Sequence, residues 1–258
     1  MNKIYYFTGT GNSLYIAQSI KKYTDDTELV SIVDIMSTEE STLVEGDRVG
    51  FVFPVYFARL PVVVQKFMES VNEIQANYIY SIIVGGGLFG SVLDEFNKKL
   101  MEINNRLDAG YVIKTPSNHP KISQLQRKSN DKLLVDAKER IKEISVTIEN
   151  KKPNKLTTSP FIIGRLITRY TFKEPYMQSQ LGVLDKVFSL DESCDACGKC
   201  IKYCPVNNIT LKNGNVEWQH HCINCSRCYH ICPRESILFG TDTMPRYMNP
   251  FIDINDLL

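Results

Sequence analysis

Apolar and polar residues alternate over the first 150 residues in a pattern that predicts strands and helices in turn. Five short runs rich in β-branched and aromatic residues predict buried strands, at residues 3–7, 29–33, 48–53, 78–84 and 111–114. Apolar residues at helical spacing predict helices at residues 14–23, 61–71, 91–104 and 130–150. A polar segment at residues 37–45 joins the second and third strands. Because strands and helices take turns, the expected fold class is α/β.

The loop after the first strand has the composition of an anion-binding site. It consists of Thr8, Gly9, Thr10, Gly11, Asn12 and Ser13. Glycines let a backbone approach its ligand, while hydroxyls and the N–H groups at a helix N-terminus bind phosphate. No Gly-Lys-Ser/Thr follows, which excludes a Walker loop, and the third glycine of the dinucleotide fingerprint is missing. A plain turn before a helix is the alternative interpretation.

Two more loops leave the same edge of the predicted sheet. One contains Pro54, Val55, Tyr56 and Phe57, and the other contains Gly85, Gly86, Gly87 and Phe89. The second loop reads G-x-G-x-x-G, but the dinucleotide fingerprint belongs to the first strand–helix unit and needs an acidic residue after the next strand, which is absent here. We therefore expect this loop to face a ligand with its backbone N–H groups.

These features together resemble flavodoxin over about residues 1–150. The resemblance implies a doubly wound parallel five-stranded sheet of order 2-1-3-4-5, with FMN bound where the loops after strands 1 and 3 meet. Residues 8–13 would bind the FMN phosphate, and Tyr56 would stack on the flavin ring, unless it simply covers the sheet edge beside Phe57. The loop at residues 115–120 could border the flavin, and His119 within it is expected to be a surface residue.

All eight cysteines lie in two copies of one pattern, 28 residues apart and each ending in Cys-Pro. Three cysteines at x-x intervals let a loop wrap around three corners of a cubane cluster, and the fourth cysteine reaches the other cluster. We therefore expect one [4Fe–4S] cluster to be bound by Cys194, Cys197, Cys200 and Cys232. A second cluster would be bound by Cys222, Cys225, Cys228 and Cys204.

Structural zinc and disulfides are the alternatives for these cysteines. Zinc gives no reason for the third cysteine of each copy or for the Cys-Pro ending. Disulfides require an oxidising compartment, whereas the N-terminal residues predict a strand that runs into the glycine loop, not a signal peptide. We therefore expect a cytoplasmic protein whose thiolates are available for iron, and no run of apolar residues is long enough to span a membrane.

The expected domain organisation has four parts. Residues 1–150 would form the flavodoxin-like FMN-binding domain, 151–185 a linker with a bracing helix at 160–172, 186–240 a small α+β ferredoxin-like domain, and 241–258 a C-terminal tail that packs back. Between the two cysteine runs, residues 209–211 and 216–218 flank Asn213-Gly214, which predicts a β-hairpin.

The second region resembles bacterial two-cluster ferredoxins, and the whole chain is similar to the flavodoxin–ferredoxin fusion family. That resemblance implies FMN and two [4Fe–4S] clusters as cofactors, and electron transfer with redox partner proteins. An FMN-dependent reductase of a small molecule is the alternative, a redox-sensing regulator is a weaker third class, and no catalytic residue is assigned. The formal net charge of +1 becomes negative once phosphate and clusters are bound, so nucleic acid is not expected as a partner.

Overall fold

The computed structural model describes residues 1–38, 42–122, 129–156, 183–240 and 245–258. The bracing helix predicted at residues 160–172 lies outside these described residues. None of the helices in the described ranges is both long and apolar enough to cross a membrane.

A parallel five-stranded sheet of order β2-β1-β3-β4-β5 forms the first half of the chain, which confirms the predicted fold and strand order. Its strands are β1 Asn2–Tyr6, β2 Thr27–Ser31, β3 Thr42–Pro54, β4 Val71–Gly85 and β5 Ala109–Lys114. The helices are α1 Asn12–Tyr23, α2 Ile32–Met36, α3 Val62–Ser70, α4 Val92–Glu102 and α5 Asn130–Glu149. The carboxyl ends of β1, β3, β4 and β5 therefore open towards one edge.

Several of the predicted strand boundaries were wrong. The second strand ends at Ser31, whose hydroxyl accepts a hydrogen bond from Asp34 N and so caps α2, where the sequence had predicted strand up to residue 33. Strands β3 and β4 begin earlier than predicted, because residues 42–46 of β3 pair in parallel with residues 71–76 of β4. These ends look polar in the sequence because only one of their faces is buried, as at Val44 and Ile74.

Helices cover both faces of the sheet. On one face, α3 and α4 bury a group of phenylalanines in which Phe96 packs edge-on against Phe51 and Phe53, at ring distances of 5.0 and 5.1 Å. On the other face, α1 and α5 bury aliphatic residues such as Ile16 and Ile141. Burial of each such side chain contributes about 1.5–3 kcal/mol, so the sheet is held firmly between two apolar layers.

The second half of the chain consists of short elements. It contains a 3₁₀ turn at Leu184–Val187, strands β6 Phe188–Leu190, β7 Ile209–Lys212, β8 Asn215–Trp218 and β9 Ile237–Phe239, helices α6 Lys199–Lys202 and α7 Arg227–Ile231, and a 3₁₀ turn at Ile254–Leu257. Strand β6 pairs with β9, and β7 pairs with β8, both antiparallel. The turn between β7 and β8 has positive φ at both Asn213 (51°) and Gly214 (80°), which confirms the predicted hairpin.

The repeat in the sequence is also a repeat in the backbone. Residues 28 positions apart share left-handed φ angles: 52° at Ala196 and 54° at Asn224, then 76° at Gly198 and 56° at Ser226. Helices α6 and α7 begin directly after the second of these positions. The two cysteine runs, residues 194–204 (the first run) and residues 222–232 (the second run), thus wrap in the same way.

Both halves contribute to shared apolar clusters. Ile223 and Cys225 of the second run belong to the cluster beneath α3 and α4. A smaller cluster joins Leu14 of α1 to Tyr203, Ile231 and Leu257. The second half therefore packs directly on the sheet domain.

Candidate functional site

A cavity of about 410 Å³ opens at the carboxyl ends of β1, β3, β4 and β5. We call it the strand-end cavity. It is lined by Thr8, Gly9, Thr10, Asn12, Ser13, Pro54, Val55, Tyr56, Phe57, Ala58, Val84, Gly85, Gly86, Gly87, Leu88, Thr115, Pro116, Ser117, Asn118, His119, Ile122 and Asn224. Its volume lies within the range of small-molecule and cofactor sites.

The loop after β1 turns sharply into α1. Gly11 precedes the helix with φ 94°, and its N–H donates to Thr8 Oγ1 at 3.1 Å. The side chain of Asn12 makes three hydrogen bonds: Nδ2 donates to Pro116 O at 2.9 Å, while Oδ1 accepts from Tyr247 Oη at 2.7 Å and Asn249 Nδ2 at 2.9 Å. The loop is therefore held by residues far away in the sequence, and it lies at the N-terminus of α1, a position that suits an anion.

Tyr56 lies close to a contact between the two halves of the chain. A Cβ atom added at Gly9 would lie 2.5 Å from Tyr56 Oη, 2.8 Å from Asn118 Nδ2 and 3.1 Å from Cys225 O. Asn118 Nδ2 itself donates to Cys225 O at 3.0 Å. Burial and, next, the neighbouring Cys225 raise the pKa of the Tyr56 phenol, so it stays neutral. The second run thus contacts the wall of the strand-end cavity.

Most of the residues predicted to bind a flavin line this cavity, but Gly11 and Phe89 do not. A Cβ at Gly11 would lie 3.1 Å from Asn249 Cβ and 3.2 Å from Ile252 Cβ, so this glycine faces the C-terminal segment. Phe89 is only 4% exposed and packs in the apolar core, because the loop after β4 needs an anchor beneath its glycines.

The sequence missed several residues of the cavity wall, chiefly Ala58, Leu88 and Asn224, whereas Asn118 lies in the loop at residues 115–120 that was expected to border the flavin. His119, predicted to lie on the surface, lines the cavity and packs edge-on against Phe239 at 5.2 Å. Burial, and then nearby Lys121, lower the pKa of His119, which keeps its ring neutral. The polar atoms Thr115 Oγ1 and Asn224 Oδ1 are buried without a hydrogen-bond partner among the described residues. A bound polar ligand would satisfy them, so the wall fits a polar cofactor.

None of the eight cysteines forms a disulfide. A second, small apolar cavity is lined by Cys204 together with Cys222, Cys225 and Cys228. This is the set that the sequence predicted for the second cluster, with the fourth ligand drawn from the first run. Cys200 in turn has Cys232, Cys194 and Cys197 as electrostatic neighbours. Within the described ranges, no group of three or more His, Cys, Asp and Glu side chains is arranged to hold a single metal ion.

The two runs differ in burial. Cys222, Cys225 and Cys228 are buried, whereas Cys197 of the first run is exposed. Burial raises the pKa of Cys200 and Cys225 to about 11 and that of Cys222 to about 12. Metal binding reverses this effect, because iron requires the thiolate and releases the proton. The second run is therefore the more buried of the two and lies beside the strand-end cavity, and the first run is closer to the surface.

His230 connects the two halves in a single tautomer. Its Nδ1 accepts from Tyr247 N at 3.0 Å, so its Nε2 carries the proton and donates to Asn118 O at 2.7 Å. Burial lowers its pKa to about 4. The carbonyl of Asn118 is thus held by His230 and its side chain by Cys225, which fixes this residue against the cavity.

The C-terminal segment at residues 245–258 packs back as expected. Asn249 N donates to Thr10 O at 2.9 Å, and the ring of Phe251 stacks on Tyr15 at 5.0 Å. Arg246 lies over the Tyr229 ring at 3.6 Å and donates to Ile237 O at 2.9 Å. The segment therefore ties the loop after β1 to the second run.

Comparisons with known proteins agree with this architecture. Residues 3–115 match the family model described as "Flavodoxin domain", and residues 193–237 match "4Fe-4S dicluster domain". The chain is therefore a fusion of an N-terminal flavodoxin domain with a C-terminal ferredoxin-type domain. Its class is that of the flavin and iron–sulfur electron-transfer proteins, since the first domain implies FMN and the second implies iron–sulfur.

Solved structures resemble the first half of the chain. A flavodoxin of Streptococcus pneumoniae is 15% identical with a TM-score of 0.39, and the match covers 58% of this chain and 98% of that one. An FMN-dependent NADH-azoreductase of Bacillus anthracis is 7% identical with a TM-score of 0.40, covering 58% and 99%. A flavodoxin of Megasphaera elsdenii is 18% identical with a TM-score of 0.33, covering 54% and 99%. No curated protein matches the chain.

Proposed function

We propose that this protein transfers electrons between FMN in the strand-end cavity, two [4Fe–4S] clusters at its eight cysteines, and redox partner proteins. A flavin exchanges one or two electrons and a cubane cluster exchanges one, so the bound groups together supply electron transfer. We divide the chain accordingly into residues 1–150 for FMN, 151–185 as linker, 186–240 for the clusters and 241–258 as the tail.

Residues of four loops would hold FMN. The loop at residues 8–13 would bind the phosphate at the N-terminus of α1. Tyr56, Gly86 and Asn118 lie on the wall where the ring system would fit. The unpartnered Thr115 Oγ1 and Asn224 Oδ1 would serve the polar edge of the ligand.

The cysteines would hold two clusters, as the spacing predicts. The small apolar cavity is lined by Cys222, Cys225, Cys228 and Cys204, which supports their assignment to one cluster. Cys194, Cys197 and Cys200 with Cys232 would hold the other, which the electrostatic proximity of Cys200 to all three partners supports. In each set, the fourth cysteine comes from the opposite run.

One observation carries the proposal: Asn118, which lines the strand-end cavity, donates a hydrogen bond to the carbonyl of Cys225. The wall of the flavin site and a cluster ligand are therefore in direct contact. The cysteines of the second run are more buried than those of the first run. The second run therefore lies between the strand-end cavity and the first run, which is nearest to the surface. Because Cys197 is exposed, we infer that a redox partner docks at the first run.

Anaerobic purification followed by quantitation of iron, sulfide and flavin tests the proposal. We expect about eight irons and one FMN per chain, since two cubane clusters contain eight irons between them. Zinc in place of iron, or disulfide-bonded cysteines, would contradict it. Reconstitution with iron and sulfide under reducing conditions controls for clusters lost during purification.

A reductase that acts on a small molecule is the second candidate. The half-buried His119 lies in the cavity with its pKa lowered, and it could exchange a proton with a substrate placed on the flavin. The two functions differ in steady-state kinetics. With electrons supplied by a chemical reductant, a reductase would turn over a small acceptor without a protein partner, whereas a carrier would reduce the acceptor no faster than the reductant does alone.

A further inference from the structure

Arg227 is a buried cation at the junction between the two halves of the chain. It lies between Cys225 and Cys228, at the first position of α7, and it is only 4% exposed. No carboxylate within 4 Å pairs with it in the described part of the chain, although Asp34 and Asp256 border the same small cleft. A buried charge without an ion pair must be compensated by hydrogen bonds or by bound anions.

Four backbone carbonyls accept hydrogen bonds from this guanidinium. Nε donates to Gly9 O at 2.8 Å and Nη2 donates to Thr8 O at 2.6 Å, both in the loop after β1. Nη1 donates to Tyr203 O at 3.1 Å and to Leu257 O at 2.9 Å. Four of the five N–H groups of an arginine are thereby used, so one side chain holds three distant segments.

These contacts determine how the loop presents its donors. In a planar trans peptide the C=O and N–H groups point in opposite directions. Since the carbonyls of Thr8 and Gly9 point at Arg227, the N–H groups of Gly9 and Thr10 point away from it. Thr8, Gly9 and Thr10 all line the strand-end cavity. Arg227 therefore orients the peptides that would bind a phosphate.

We propose that Arg227 is a positioning residue that makes FMN binding depend on the assembly of the second run around its cluster. The proposal rests on the function proposed above. Arg227 has cluster ligands on both sides in the chain, so wrapping of the second run fixes its backbone and aims its side chain at the loop. By linkage, FMN binding should stabilise the cluster at Cys222, Cys225, Cys228 and Cys204 by the same factor.

The internal repeat supplies a matched control. The residue 28 positions before Arg227 is Lys199, at the first position of α6 and beside the cysteines of the first run. Its side chain is exposed on the surface. Lys199→Gln removes the same formal charge from the equivalent place in the first run without touching the loop after β1.

The test compares FMN affinity in Arg227→Gln, Arg227→Lys, Lys199→Gln and the wild type. Each protein is stripped of flavin with its clusters intact, then titrated anaerobically with FMN while flavin fluorescence is followed. We expect Arg227→Gln to raise the Kd by roughly 5- to 150-fold, the range of typical coupling energies. Arg227→Lys keeps the charge but not the planar set of N–H donors, so its Kd for FMN should lie between those of the wild type and Arg227→Gln. Lys199→Gln should stay within about twofold, as expected for an exposed charge.

Equal FMN affinities in Arg227→Gln and the wild type would overturn this proposal but not the proposed function. A loss of FMN affinity in Lys199→Gln as large as that in Arg227→Gln would do the same. A wild-type protein that carries both clusters and binds no FMN would instead overturn the proposed function, and this proposal with it. If Arg227→Gln loses its clusters, the proposal is tested instead on the wild type, by measuring how FMN affects the release of iron. FMN should slow the release of about half of the iron to a chelator, and an unchanged rate would overturn the proposal.

Discussion

At the scale of single residues, Gly9 lies where the ferredoxin-type domain packs tightly against the flavodoxin domain. Tyr56 Oη, Asn118 Nδ2 and Cys225 O surround the point where a Cβ would be. The glycine is therefore required by space and not by its φ angle. A side chain of any size would separate the second run from the cavity wall.

Gly9→Ala should destabilise the protein by about 1–3 kcal/mol, because the new methyl group overlaps Tyr56 Oη and Asn118 Nδ2 and crowds a backbone carbonyl. The midpoint of denaturant unfolding measures the effect. Gly46→Ala is the control, since its nearest heavy atoms would lie at 3.4 Å, and it should change stability by less than about 0.5 kcal/mol. Equal midpoints for the two variants would show that the domains can separate at no cost.

The residues that join the domains could have been found by comparing the two copies of the repeat. Asn224, Arg227 and His230 of the second copy stand where the first copy has Ala196, Lys199 and Lys202. The first copy has a small residue and two exposed lysines at these places, as a solvent-facing surface requires. The second copy has groups that form directed hydrogen bonds when buried. Such a difference between copies is a signal of an interface.

At the scale of elements, the 3₁₀ turn at Leu184–Val187 anchors the β7–β8 hairpin to the cluster region. Asp185, 2% exposed, accepts hydrogen bonds from His220 N at 2.9 Å, His220 Nδ1 at 3.0 Å and Asn208 Nδ2 at 3.0 Å. Burial alone would raise the pKa of Asp185, but hydrogen bonds from His220 and Asn208 outweigh it, so the pKa lies below its usual 3.8.

Asp185→Asn should cost about 1–3 kcal/mol at neutral pH, because its amide turns a donor towards groups that already donate. Folding lowers the pKa of Asp185, so its contribution to stability is present above pH 3.8 and is lost as the pH falls through the folded value. Unfolding followed by circular dichroism between pH 3 and pH 7 should thus show a steeper acid loss in the wild type than in Asp185→Asn. Asp136→Asn, at an exposed position of α5, should keep the wild-type profile. Parallel profiles for wild type and Asp185→Asn would contradict the assignment.

Elements whose apolar residues repeat at a regular spacing were predicted well. Strand ends with one exposed face were not. Helix α5 was predicted to within one residue, because Leu134, Ala137, Ile141, Ile144 and Ile148 repeat at helical spacing and are buried. The N-terminal ends of β3 and β4 were missed, because each gains its regularity only from pairing with the other. Helix α2 has a single turn and a cap, too short for a periodic signal.

At the scale of the whole molecule, the flavodoxin domain does not complete its cavity alone. Asn224 lines the cavity from the second run, Arg227 holds the loop after β1, and the C-terminal segment holds Asn12. Both halves also share an apolar cluster. The order of the loop after β1 should therefore depend on the iron content of the protein.

Removal of iron by anaerobic chelation should increase hydrogen exchange in the loop at residues 8–13 and in the loop at 115–118. Helix α5 should remain unchanged, because it packs on the other face of the sheet, in a cluster without residues of the second half. Exchange followed by mass spectrometry on loaded and chelated protein measures both regions. Unaltered exchange in both loops would show that the flavin site is organised without the clusters.

The sequence by itself determined the alternation of strands and helices, the loop after β1 and the two cysteine runs. These features are local: periodicity and ligand spacing depend on residues within one turn or one loop of each other. Only the tertiary structure decided that the second run lies against the cavity, that Arg227 and His230 hold loops of the cavity wall, and that Phe89 packs in the core. The contacts made by the second run join residues more than 100 positions apart, where spacing along the chain carries no information about proximity.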